Sequence, residues 1–235
     1  GLFGSLNYES SWWRVPVRTV GAEDPMDQRD LEYFAEAARW NYELTYEREA
    51  AIPYKQLTDV GSKDYIRRFL SEEAAMMYNG EWCLSMLRER IEKECPEFVY
   101  DVAKLPCWDE DKRYAIGSPA VLMVAEKSEK KEEAALFLTY ACGEEGAMQI
   151  AAKGFLPAWN SKGVRQIFQD SLHMPEHTEY FFPEEEISHF PSTTDYTISM
   201  NLLHDNIWSY LMREIPLEAA LQNYKEQLTE RVGSP

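Results

Sequence analysis

Tyr78-Asn79-Gly80-Glu81-Trp82 sets two aromatic rings, an amide and a carboxylate within five consecutive positions. Those types suit a polar ring as ligand: the aromatic face covers C–H surface while the amide and carboxylate meet hydroxyls. Tyr8-Glu9-Ser10-Ser11-Trp12-Trp13 and Asp195-Tyr196 repeat the mixture, and seven tryptophans with fourteen tyrosines exceed what a core of this size needs. Bond-making chemistry is harder to find. The chain has no Gly-x-Ser-x-Gly, no P-loop and no Gly-x-Gly-x-x-Gly. His173 and His177 have the four-residue spacing of helical metal ligands, but Pro175 between them argues against a helix. His189 would join them only through tertiary structure, so no metal site is expected. The 41 acidic residues supply carboxylate pairs so freely that none marks a glycosidase. A binding protein with no catalytic residue, cofactor or metal therefore outranks an enzyme.

The elements that must position these residues follow from pattern. Ala74–Tyr78 is an apolar run short enough for a buried strand, and Asn79-Gly80 turns the chain. A helix follows with Cys83, Leu84, Leu87 and Ile91 on one face, which puts Trp82 on its first turn. In open α/β sheets ligands bind beyond the carboxyl ends of the strands, where such a turn lies. The competing role for Trp82 is to close the helix–strand contact. Upstream, Asp27 or Asp30 caps a helix with stripe Leu31, Phe34, Ala35, Ala38 and Tyr42.

Downstream, Phe98–Leu105, Tyr114–Ile116 and Ala120–Ala125 read as strands. Ser128 caps a helix with stripe Ala134, Phe137, Leu138 and Ala141. A second helix follows Gly143 and ends at a left-handed Gly154. Residues 156–191 read as irregular, with one helix near Val164–Phe168. Asp195 caps a helix with Met200, Leu203, Ile207 and Leu211 in register. Pro216 opens the last helix, with stripe Leu217, Ala220, Leu221, Tyr224 and Leu228. The sum is an α/β fold.

Hydrophobic residues at 45% and charged ones at 28% fit a globular protein. No apolar run reaches the roughly 20 residues that span a bilayer. A net charge of −17 argues against nucleic acid and anionic membrane as partners, and leaves neutral or cationic small molecules. None of the four cysteines shows Cys-x-x-Cys spacing. Cys83 and Cys142 read as small core residues, while Cys95 and Cys107 flank a predicted strand and could bridge.

The order of motifs resembles that of family 1 extracellular solute-binding proteins, the maltose-binding-protein-like group. Ala74-Ala75-Met76 followed by Asn79-Gly80-Glu81-Trp82 is similar to that family's Ala-Ala-Met and Gly-x-Trp segment. Tyr100–Pro106 resembles its strand ending in Pro-Leu-Pro, and Gly117-Ser118 with Val121–Ala125 its small-residue turn and strand. Ser128–Gly154 and then Leu156-Pro157-Ala158 resemble the helices and the proline segment that follow. Glu72 or Glu73 replaces the glycine usual before Ala-Ala-Met, and Asn79 replaces a second glycine.

The resemblance implies a type II periplasmic-binding-protein-like fold without most of the N-terminal lobe. Residues 1–101 and 156–235 would form the C-terminal lobe, and 102–155 an excursion that belongs to the N-terminal one. It implies a sugar or oligosaccharide ligand in an interlobe cleft and an ABC-transporter permease as partner. It also implies an extracellular location, as a lipoprotein or in the periplasm. Trp82 would stack on a sugar ring with Asn79 and Glu81 at its hydroxyls. Gly117 and Ser118 would lie across the cleft, and Asp195 and Tyr196 are a weaker match. Trp12 and Trp13 are candidates on composition alone. Without the other lobe, the chain is expected either to self-associate through residues 102–155 or to bind sugar much more weakly than a complete two-lobed homologue. The rival reading is an interaction module in which this truncated fold recognises a protein partner.

Overall fold

Asp27 has extended dihedrals and accepts from the backbone N–H groups of Arg29 and Asp30, which starts helix α1 at Gln28–Tyr42. The computed structural model describes residues 5–7, 26–58, 64–104, 115–116, 121–182, 187–188 and 193–232. It divides into two compact units: residues 1–79, 105–116 and 185–235 form the first, and residues 80–104 and 117–184 the second.

In the first unit α1 runs on into a π-helical turn, Glu43–Glu47. Short helices α2 (Tyr54–Thr58) and α3 (Asp64–Leu70) follow. Strand β1 (Ser5–Asn7) pairs in parallel with β2 (Met76–Tyr78), Leu6 opposite Met77. Two long helices close the unit, α8 (Thr194–Leu211) and α9 (Leu217–Arg231). Leu31, Phe34, Ala35 and Ala38 meet Met200, Leu203, Ile207 and Leu211 in their core, and Leu217, Tyr224 and Leu228 complete it. Two buried polar groups are paired there: the Ser199 and Tyr224 hydroxyls bond each other at 2.7 Å, and Asn206 Nδ2 donates to the Leu202 carbonyl. Strands β3 (Ala115–Ile116) and β4 (Ile187–Ser188) form a second parallel pair.

The second unit holds α4 (Cys83–Glu94), α5 (Lys131–Ala141), α6 (Glu144–Ala151) and α7 (Lys162–Ser171). Its core joins Leu84 to Ala147, Ala151, Val164 and Phe168, and Phe181 and Phe182 meet the Phe168 ring edge-on. After α6 the chain reverses at Gly154, with φ +80 and Phe155 N donating to the Ile150 carbonyl, as expected from the sequence.

Other expectations change. Residues 98–104 and 121–125 carry no strand, because alternation supplies a face but not a hydrogen-bonding neighbour, and none lies among the described residues. Helix α5 forms, yet none of its residues is buried: Leu136 is 72% and Phe137 63% exposed. Its N-cap is Lys130, with Ser128 Oγ accepting from the Lys130 N–H. Cys142 is exposed rather than a core residue, Cys83 is buried, and Cys95 is unbridged. Thr193, not Asp195, caps α8, because its hydroxyl accepts from Tyr196 N at 3.2 Å. Pro216 sits at the N-cap of α9, one position before the one expected.

These burials predict a contrast. Leu203 is fully buried, so Leu203→Ala should cost about 2–5 kcal/mol of stability in urea unfolding. Leu136→Ala, on the uncovered face of α5, should stay within about 0.5 kcal/mol. Equal losses at the two positions would mean that the exposed face of α5 is packed in solution.

Candidate functional site

Helix α4 begins at a turn in which Cys83 N donates to the Gly80 carbonyl at 3.1 Å and Leu84 N to that of Glu81 at 3.0 Å. Trp82 is its N-cap residue. The inward face is the expected one, with Cys83, Leu84, Leu87 and Ile91 all buried. Burial pushes the Cys83 thiol up to about 12, so it is a packing residue and not a nucleophile. Trp82 and Met86 stand four residues apart on a different face and are 44% and 39% exposed.

The indole lies back over the turn. A Cβ on Gly80 would stand 1.9 Å from Cζ3 of the Trp82 ring, so any larger residue there would displace the indole from this position. Between them Glu81 is half-buried. Among the described residues its carboxylate has no hydrogen-bond or ion-pair partner, and burial alone holds its carboxyl above the usual range. One turn therefore combines a broad apolar face with an acceptor group short of donors.

Of the other expected site residues, Asn79, Asp195 and Tyr196 are described. Asn79 is half-buried and ends the first unit. Asp195 is exposed in the first turn of α8. Tyr196 is 6% exposed within the first unit's core, so its ring serves packing there and is not a stacking surface. Trp12, Trp13, Gly117 and Ser118 lie outside the described residues, as do Cys107 and His189.

Two arrangements escape a reading of local pattern. Asp101 accepts from the backbone N–H of His177 at 3.0 Å and pairs with its ring Nδ1, while Tyr180 stacks on that imidazole. The backbone bond from His177, then its ring, lower the Asp101 carboxyl to about 2, and Asp101 raises His177 in turn. The partners are 76 residues apart, so spacing could not reveal them. The pair ties residues 173–177 to the 98–104 segment. His177 is thus engaged with a carboxylate, and no cluster of three metal-ligating side chains occurs among the described residues.

The second arrangement is a groove of about 540 Å³ in the first unit, lined by Arg39, Tyr42, Tyr210 and Arg213 among others. The Tyr42 and Tyr210 rings stack at 4.9 Å. Arg213 takes the left-handed conformation, φ +64, at the end of α8, and its guanidinium lies over Tyr46. The first pair joins α1 to α8, again a contact without a local signal.

The fold has relatives among solved structures. A sugar transporter from Rhizobium etli, in an open conformation, superposes with a TM-score of 0.73 at 16% identity over 96% of this chain. An ABC substrate-binding protein from Listeria monocytogenes, in complex with cycloalternan, gives 0.73 at 18% identity over 99%. The chain spans 58% and 59% of those two proteins. No protein-family model and no curated protein matches the sequence. The α/β architecture is therefore periplasmic-binding-protein-like, and no helix among the described residues is long and apolar enough to cross a membrane.

The charges of this region predict two outcomes. A carboxyl with a raised folded value destabilises the native state once ionised, so stability falls as pH rises from its ordinary range through the folded value. Glu81→Gln should raise the melting temperature at pH 7, with the gain vanishing below about pH 4 as Glu81 protonates. An unchanged or lower melting temperature at pH 7 would show that Glu81 has a partner in solution.

The Asp101–His177 tie has two limits. The Asp101 contribution, from a lowered value, is present above the ordinary aspartate range and lost as pH falls towards about 2. The His177 contribution, from a raised value, is complete below 6.5 and lost as pH rises through the folded value. Amide-exchange protection factors of residues 173–177 should therefore decline on the alkaline side. The alkaline decline should be absent in His177→Ala, which keeps only the backbone bond to Asp101, and protection that is flat with pH in the unsubstituted chain would contradict the pairing.

Proposed function

We propose that this chain binds a carbohydrate and acts as the solute-binding component of an ABC importer. The observation that carries the reading is Trp82, 44% exposed at a tight turn before α4, in a fold shared with sugar-transport binding proteins. An indole anchored on its own turn gives a sugar ring a fixed apolar platform at little entropic cost. Glu81 accepts hydrogen bonds from the sugar hydroxyls.

Membership of family 1 extracellular solute-binding proteins belongs to this proposal, as do a permease partner and an extracellular or periplasmic location, with or without a lipid anchor. So does the assignment of residues 1–101 and 156–235 to one lobe and of 102–155 to the other. Binding without catalysis is the reading consistent with Trp82, Glu81 and a buried Cys83.

A second reading has its own observation. Leu136, Phe137 and Tyr140 are 72%, 63% and 50% exposed on one helix, an uncovered apolar face that favours an interaction module. Light scattering separates the two. A monomer that binds oligosaccharide supports the first, and a sugar-indifferent assembly that Phe137→Ser dissolves supports the second.

Trp82→Ala tests the platform directly. It should weaken oligosaccharide binding by about 1–3 kcal/mol in calorimetric titration, the scale of a well-packed aromatic contact. The melting temperature should hardly change. A large loss of stability with unchanged affinity would make Trp82 a packing residue.

A further inference from the structure

Among the described residues the Glu81 carboxyl has no counter-charge. It is half-buried, and among the described residues no lysine, arginine or histidine pairs with it and no donor reaches its oxygens. Other carboxylates on this chain are handled differently: Glu73 pairs with Arg67 at 2.8 Å, Glu89 with Lys93 at 2.7 Å, and Asp101 with His177. Packing does not call for an acid at this position, since a glutamine would fill the same space without an ionised group to desolvate. A cation beside a carboxylate held partly out of water would offset the cost of its ionisation.

The next residue supplies the complementary surface. An indole face attracts a cation through its quadrupole, more strongly than a phenol or phenyl ring does. Carboxylate and indole on one turn together recognise a protonated amine attached to an apolar-faced ring. A neutral hydroxyl would give Glu81 a hydrogen bond but leave its charge unopposed, whereas an ammonium group opposes it and forms a stronger, charge-assisted bond. The net charge of −17 adds a field that draws cations towards the molecule and disfavours anionic sugars.

Resting on the carbohydrate reading above, we propose that the solute is an amino sugar, held by its protonated amine at Glu81 with Trp82 covering the ring. Nothing in this assignment requires a metal or a covalent step. It makes Glu81 the residue that sets specificity and Trp82 the one that sets affinity.

The test is calorimetric titration of the full chain at pH 7 with three probes: a trisaccharide of glucosamine, its fully N-acetylated form and a glucose trisaccharide. The free-amine form should bind about tenfold or more tightly than the acetylated one, the scale of a charge-assisted contact. Glu81→Gln should bring that ratio close to one, Glu81→Asp should keep part of it, and Trp82→Ala should weaken both forms alike. Glu132→Gln, on the exposed face of α5, removes one charge from the general field and should leave the ratio unchanged. Equal affinity for the amine and acetyl forms, or a preference that survives Glu81→Gln or falls equally with Glu132→Gln, overturns the amino-sugar assignment while the carbohydrate reading stands. Failure of all three sugars to bind overturns both.

Discussion

The close approach of the Trp82 indole to Gly80 is the constraint on which the candidate site depends. It folds a large aromatic side chain back over its own turn and leaves no room for a Cβ. That arrangement is only as rigid as the helix it introduces. Helix α4 is fixed because Cys83, Leu84, Leu87 and Ile91 are buried, with Leu84 seated among Ala147, Ala151, Val164 and Phe168. The Arg88 guanidinium donates to the Lys153 carbonyl at 3.1 Å, beside the left-handed Gly154 that ends the α6 segment. Packing on one face of α4 thus orients a turn that packs little itself.

The residues of that turn break the rules the neighbouring core obeys. Trp82 and Met86 expose apolar surface, and Glu81 sets a carboxyl where burial disfavours its charged form. Local departures from good packing and pairing are where function is expected, because a stable core gains nothing from them. The packed helices of the first unit differ. Its buried Ser199, Tyr224 and Asn206 all find hydrogen-bond partners, and its helices α1, α8 and α9 bury the stripes their sequences predict.

Amphipathic helices were the legible part of this chain. The faces Leu31–Phe34–Ala35–Ala38, Cys83–Leu84–Leu87–Ile91 and Met200–Leu203–Ile207–Leu211 are buried as their spacing requires, because a helix satisfies its own backbone and needs only something to cover one side. Strand assignments at 98–105 and 120–125 and the buried stripe of α5 depended on neighbours that a periodicity does not specify. The α8 cap moved from Asp195 to Thr193 because two capping residues stand close together and only the backbone decides between them. The turn at Gly80–Trp82 was legible as a candidate from residue types. The charge state of Glu81 was not, since it depends on burial and on the partners it lacks.

The central claim is that Trp82 meets the ligand rather than merely closing a turn. Tryptophan indole N–H resonances report it most directly, with the Trp82 signal assigned by its loss in Trp82→Phe. On titration with the sugar that binds, that resonance should shift and saturate together with the calorimetric isotherm, while those of Trp40 and Trp208, in the first unit, stay fixed. A Trp82 signal that is unmoved at saturation, while binding heat is still released, would contradict the account.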